Sequence, residues 1–201
     1  MIVRTPVSTH LNYFSCLEDD LLQLSRWIEF SAENEAVYSI ELARLLMTAA
    51  AEVDVVAKAL CKEIDSKRKA ESINVYQEVL TKAIPTLHMA EVAMPRFGMT
   101  FQPWSNWGVK EKNPPDWWQG NNKVKHHRSD HFQHANLKNV LNANAALLVL
   151  LLLLHSKDGS YFPRMPRLFV PHTFARIEGD ILRLVMPDGV NLPWNLAGGI
   201  A

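Results

Sequence analysis

The longest regular signal in the chain starts at Ser39. From there Ile40, Leu42, Leu45, Leu46, Ala49, Val53, Val56, Ala57, Leu60 and Ile64 recur with no proline or glycine among them. Residues three or four apart share one face of a helix, so the pattern predicts a long amphipathic helix over 39–64. An earlier helix is predicted to begin after Leu17. Glu18, Asp19 and Asp20 would sit at the positive end of its dipole, and Leu21, Leu22, Leu24, Ile28 and Phe30 would form its apolar face. A third is predicted over 74–87, carried by Val75, Val79, Leu80 and Ala83 and perturbed in its last turn by Pro85. Residues 1–17 carry little periodic signal.

Between 94 and 116 the prolines and glycines preclude a long helix, while Phe97, Phe101, Trp104 and Trp107 predict a loop that adheres to the body. Helical signal resumes with Asp116 as a cap and continues to about His127. It restarts near Ser129 or Asp130 and runs to His155. Residues 135–154 are almost wholly apolar but are interrupted by Asn142 and Asn144, and the run falls short of the ~20 residues that span a bilayer. It reads as a buried central helix, with no membrane association expected.

After Gly159 short strands are predicted at 167–170, 174–177 and 181–186, with turns at Glu178-Gly179-Asp180 and Pro187-Asp188-Gly189. The fold class is therefore mainly α, a helical bundle with a small C-terminal β-hairpin or meander. The expected organisation is a helical domain over 1–158, including the Pro/Trp-rich loop 94–116. A β-rich extension over 159–201 packs on the same domain, its tail from Asn195 loosely held.

Composition narrows the function classes. A chain of 201 residues with 48% hydrophobic content can bury one sizeable core. Its 21 basic and 21 acidic residues cancel, so no bulk field draws it to nucleic acid, and any polyanion binding must be local. Two cysteines make no disulfide framework, and the start of the chain shows no charged region followed by an apolar one. A reducing, cytoplasmic setting is expected.

The densest chemistry lies in Trp117, Trp118, Asn121, Asn122, Lys123, Lys125, His126, His127 and Arg128. On a helix Asn122 and His126 lie one turn apart on the same face, as do Asn121 and Lys125. Amide, ammonium and imidazole can thus converge on an anion. Histidine exchanges protons near neutral pH, and Lys125 and Arg128 would stabilise phosphate charge, the minimum equipment for metal-independent RNA cleavage. The competing reading is a helix terminus whose cations meet free carbonyls.

With these residues in view, the chain resembles a degenerate member of the HEPN superfamily of helical, RNA- and nucleotide-associated proteins. That family carries Arg, a polar residue, three further positions and then His at the end of a helix. Asn122 matches the polar position and His126 the histidine, while Asn121 stands where the family has arginine. The upstream helix is similar in its acidic and basic pattern through Glu52, Asp54 and Lys58, and the likeness covers about residues 39–155. It implies a helical bundle, often a homodimer with the two motifs facing each other, and RNA processing, toxin activity or phage defence as settings. His126, Lys125 and Arg128 would then be catalytic, and Asn121, Asn122, His127, Trp117 and Trp118 would contact RNA or nucleotide phosphate. Glu52 or Asp54 would orient His126 or pair with Lys125, with Lys58 supporting the site from the same helix. Asn121 lacks the bidentate cation of the family's nucleases.

Other readings stand beside it. His127, His131 and His134 at i, i+4 and i+7 could present imidazoles to zinc, but the expected break near Ser129 would destroy their shared face, and no metal or other cofactor is expected. Asp54 and Lys58 form an ordinary i,i+4 surface pair. Asn136, Asn139 and Asn142 could bond across to the motif or simply close helix contacts. Trp104, Trp107, Trp117 and Trp118 either stack on bases or belong to the core. Two functions compete: an RNA- or nucleotide-phosphate-binding protein with endoribonuclease activity, and a non-catalytic dimeric scaffold.

Overall fold

A computed structural model describes residues 8–109, 111–159 and 161–194. Its first helix, α1 (Thr9–Leu24), starts eight or nine residues before the predicted position. Ser8 caps it by accepting the Leu11 N–H, and Leu11, Phe14, Leu17, Leu21 and Leu24 form a buried stripe at spacings of three and four. That periodicity was present in the sequence but thinned by polar neighbours. As a result Glu18 sits inside the helix on its buried face, not at its positive end.

The long helix α2 (Ile40–Ile64) forms as expected, with the Ser39 hydroxyl accepting the Leu42 N–H. Helix α3 (Ile73–Ala83) ends earlier than predicted, because Ile84 precedes Pro85 and leaves helical geometry. The central helix α5 (Leu137–His155) is almost entirely buried and packs most extensively against α2, with α4 (Asp116–His131) and α1 also against it. By length and composition α5 could cross a membrane, yet its leucines face other parts of the protein. The apolar character around its circumference suits a helix enclosed on every side.

The adherent loop is more ordered than predicted. It contributes β2 (Met99–Phe101) and receives the end of β1 (Val92–Met94). These strands and β4 (Val170–Pro171) form a small antiparallel sheet in the order β2-β1-β4. A second sheet, β3-β6-β5, holds β3 (Tyr161–Phe162), β5 (Ala175–Glu178) and β6 (Ile181–Leu184). The predicted β5–β6 hairpin forms around Gly179, whose φ of 63° is the left-handed turn conformation glycine allows. The first expected C-terminal strand shrinks to Val170–Pro171 because its upstream backbone is bound to Glu18 instead. Arg167 and Leu168 donate N–H to that carboxylate at 2.9–3.0 Å. The C-terminal region is thus knitted into the helical body; the tail from Asn195 lies outside the described residues.

Candidate functional site

Helix α4 begins after Pro115 and turns Trp117, Gly120, Asn121 and Val124 into the protein. The complementary positions, Asn122, Lys123, Lys125 and His126, point to solvent. Gly120 is required by close approach: a Cβ there would stand 2.5 Å from Asn139 Nδ2, which donates to the His134 carbonyl at 2.9 Å. Helix α4 is therefore clamped to the start of α5 through its smallest residue.

His127 leaves helical geometry, at φ −140° and ψ 47°, and kinks α4 where the sequence predicted a break. The helix nevertheless continues to His131, and the apolar run restarts only at Leu137, later than expected. Asn136 caps it by accepting the Asn139 N–H, and Leu137 and Lys138 donate to the Val37 and Glu35 carbonyls. These long-range bonds, not local propensity, set the boundary.

Across the kink lies a row of imidazoles. Ring centroids are 6.5 Å apart for His126 and His127, 6.4 Å for His127 and His131, and 5.8 Å for His131 and His134. Lys123 Nζ stands 3.5 Å from His134 Nε2. Partial burial, then Lys123 and His131, pull the His134 pKa below the usual histidine range. Arg128 reaches back over α2 to Met47 Sδ at 3.4 Å. Beside the row a groove of about 330 Å³ is lined by Gly120, Lys123, His134, Asn136, Lys138 and Asn139, among others. Among the described residues no group of three or more metal-binding side chains assembles, the alternative trio His127, His131 and His134 included.

Several of the expected site residues lie differently from the sequence expectation. Asn122, Lys125, His126, His127 and Arg128 lie on an exposed surface and do not converge in a hollow. Asn121, at the family's arginine position, is 8% exposed and turned toward the core, and its Oδ1 has no partner among the described residues. Trp117 is 2% exposed and donates Nε1–H to the Pro103 carbonyl at 2.9 Å; its indole is core and unavailable to bases. Trp118 is half-buried, edge-on to Trp117 at 5.8 Å.

The acidic residues of α2 also face elsewhere. Glu52 Oε1 pairs with His10 Nδ1 at 2.5 Å, and Asp54 accepts from Tyr76 Oη at 2.7 Å and pairs with Lys58. They tie α2 to α1 and α3, not to His126. Burial, then Asp54, pushes the Tyr76 phenol well above its usual range. Asn142 bonds within α5 to the Lys138 carbonyl.

Comparison with protein-family models, curated proteins and solved structures finds no match. What the coordinates define is a class: a mainly α-helical protein around a buried leucine-rich helix, bearing two small antiparallel sheets.

Proposed function

We propose that this protein binds RNA or nucleotide phosphate on the face formed by the second half of α4 and its turn into α5. The carrying observation is the concentration of unneutralised charge there. Lys123, Lys125 and Arg128, with His126, His127, His131 and His134, face a single carboxylate in the same segment, Asp130. Arg44, Arg68, Lys112, Lys157 and Arg167 are each paired with a carboxylate, and the cations elsewhere that form no such pair are spread along the chain, not gathered with a run of histidines in one segment. In a chain of zero net charge, a local row of cations with no carboxylate partner among the described residues is where a polyanion gains most from counterion release. The HEPN likeness of Asn122 and His126 supports the same ligand. It adds metal-independent cleavage, in which His126 exchanges the proton of a ribose hydroxyl or leaving oxygen while Lys125 and Arg128 bear the phosphate charge.

Binding of a labelled single-stranded RNA, followed by fluorescence anisotropy across a salt series, tests this. Three phosphate contacts give a log-log slope of about −2, a loss of roughly 20-fold between 50 and 200 mM salt. Combined replacement of Lys123, Lys125 and Arg128 by alanine should flatten that slope, whereas His126→Ala should retain binding and abolish any cleavage seen in chelator. No salt-dependent binding by the wild type overturns the proposal.

One observation favours the dimeric scaffold as a second reading. Val37, Tyr38 and Ile40 are exposed beside the same turn, Ile40 at 81%, and the Tyr38 ring meets Phe132 edge-on at 5.4 Å. Apolar side chains bordering the histidine row suit a contact between two copies. Light scattering should then give a dimer mass that Ile40→Asp reduces to a monomer; a monomeric wild type removes this reading.

A further inference from the structure

At the opposite end of α5, roughly 27 Å along the helix from its start, a second group of proton-handling side chains lies apart from the cationic row. Ser8 Oγ is 3.2 Å from His155 Nε2, and His155 Nδ1 is 3.8 Å from Asp158 Oδ2. The His155 ring is nearly buried and meets Phe162 edge-on at 5.6 Å, which fixes its plane. Ser8 is half-exposed and caps α1, so the first-turn N–H groups of Thr9 and His10 beside it have no acceptor within the helix.

We propose that Ser8, His155 and Asp158 form a hydrolytic site for small carboxylic esters, working through an acyl-serine. Nucleophile, base and orienting carboxylate stand in the order such chemistry requires. Ser8 Oγ attacks the ester carbonyl, forming the C–O bond as its proton passes to His155 Nε2. The carbonyl oxygen becomes an oxyanion, received by the first-turn N–H groups of α1, which have no acceptor within the helix. Collapse breaks the bond to the alcohol, which leaves with the proton from His155. Water, deprotonated by His155, then attacks the acyl-serine and releases the carboxylic acid. Asp158 is a positioning residue: it stands 3.8 Å from Nδ1, beyond a direct hydrogen bond, and its negative charge favours the tautomer with the proton on Nδ1, which leaves Nε2 its lone pair.

Electrostatics agree with this assignment. Burial first, and His10 on α1, push the His155 pKa below its usual value, while Asp158 pulls it up. His10 is in turn paired with Glu52 on α2. His155 is therefore neutral, the form a base needs, from neutral pH upward.

A fluorophosphonate probe with peptide mass mapping, and hydrolysis of p-nitrophenyl acetate, test the proposal on the full chain. At pH 8 the adduct should fall on Ser8 and be absent in Ser8→Ala. His155→Gln should slow labelling and hydrolysis on the order of 100-fold. Asp158→Asn should slow both and move the acid limb of the pH profile to lower pH, because the carboxylate that raises His155 is gone. No adduct at Ser8 in folded wild type, or an undiminished rate in a cooperatively melting His155→Gln, overturns it. Should His155→Gln fail to fold, Asp158→Asn alters only an exposed side chain, and an unchanged rate and pH profile there is equally decisive.

Discussion

Glu18→Ala should cost roughly 3 to 5 kcal/mol, read as a lower urea midpoint, because it leaves a set of enclosed backbone donors without an acceptor. The Glu18 side chain is 2% exposed and receives N–H groups from Arg167, Leu168 and Phe169. Nothing in α1 can replace it, since an alanine methyl neither accepts these bonds nor admits water easily. The C-terminal strands are anchored through this carboxylate, so protection of the β5–β6 amides against hydrogen exchange should fall with global stability. Glu18→Gln should be nearly as harmful, because half of its amide presents a donor to donors.

The pH dependence has a definite sign. Burial raises the Glu18 carboxyl above its usual range, outweighing the opposing backbone N–H groups and Arg164. A carboxyl raised on folding holds its proton more tightly in the native state. Its contribution is therefore fully present below the unfolded value and is lost as pH rises through the folded one. The stability gap between wild type and Glu18→Gln should narrow from mildly acid pH to neutral. A gap that widens instead would mean that the N–H donors outweigh burial.

Trp117→Ala is expected to lower stability by roughly 3 to 5 kcal/mol, the range for removing a large enclosed aromatic. The indole stands edge-on to Trp104 at 5.5 Å, and Trp104 lies 4.3 Å from Trp107, so one cluster joins the loop 94–116 to the first turn of α4. Trp117→Phe keeps a ring but loses the bond to the Pro103 carbonyl and should cost about 1 to 3 kcal/mol. Per folded molecule, RNA binding should be unchanged in Trp117→Phe. A selective loss of binding with stability intact would return this residue to the ligand.

The elements that were legible in the sequence are those whose burial pattern repeats. Ser39 and the ten apolar positions that follow specify α2 closely, because cap and period agree. Residues 135–154 are legible as a buried helix from their lack of a polar face. The β5–β6 hairpin follows from Gly179. The start of α1 was obscured by polar residues between Leu11, Phe14 and Leu17. The start of α5 was displaced because its capping bonds come from Val37 and Glu35, about a hundred residues away in the chain.

The candidate site divides in the same way. Which residues carry charge and imidazole in the α4 segment is a property of the chain itself, as is the kink at His127. Their direction is not, because a helix has an inner face only once its neighbours are in place. Packing against α5 sent Asn121 and Trp117 inward, left Lys125 and His126 in solvent, and turned Glu52 toward His10. It also brought Ser8 against His155, a pair 147 positions apart that no local pattern could announce. Local periodicity and capping are short-range and determined the helices; the meeting of distant side chains depends on how those helices stack, and the tertiary structure alone decided it.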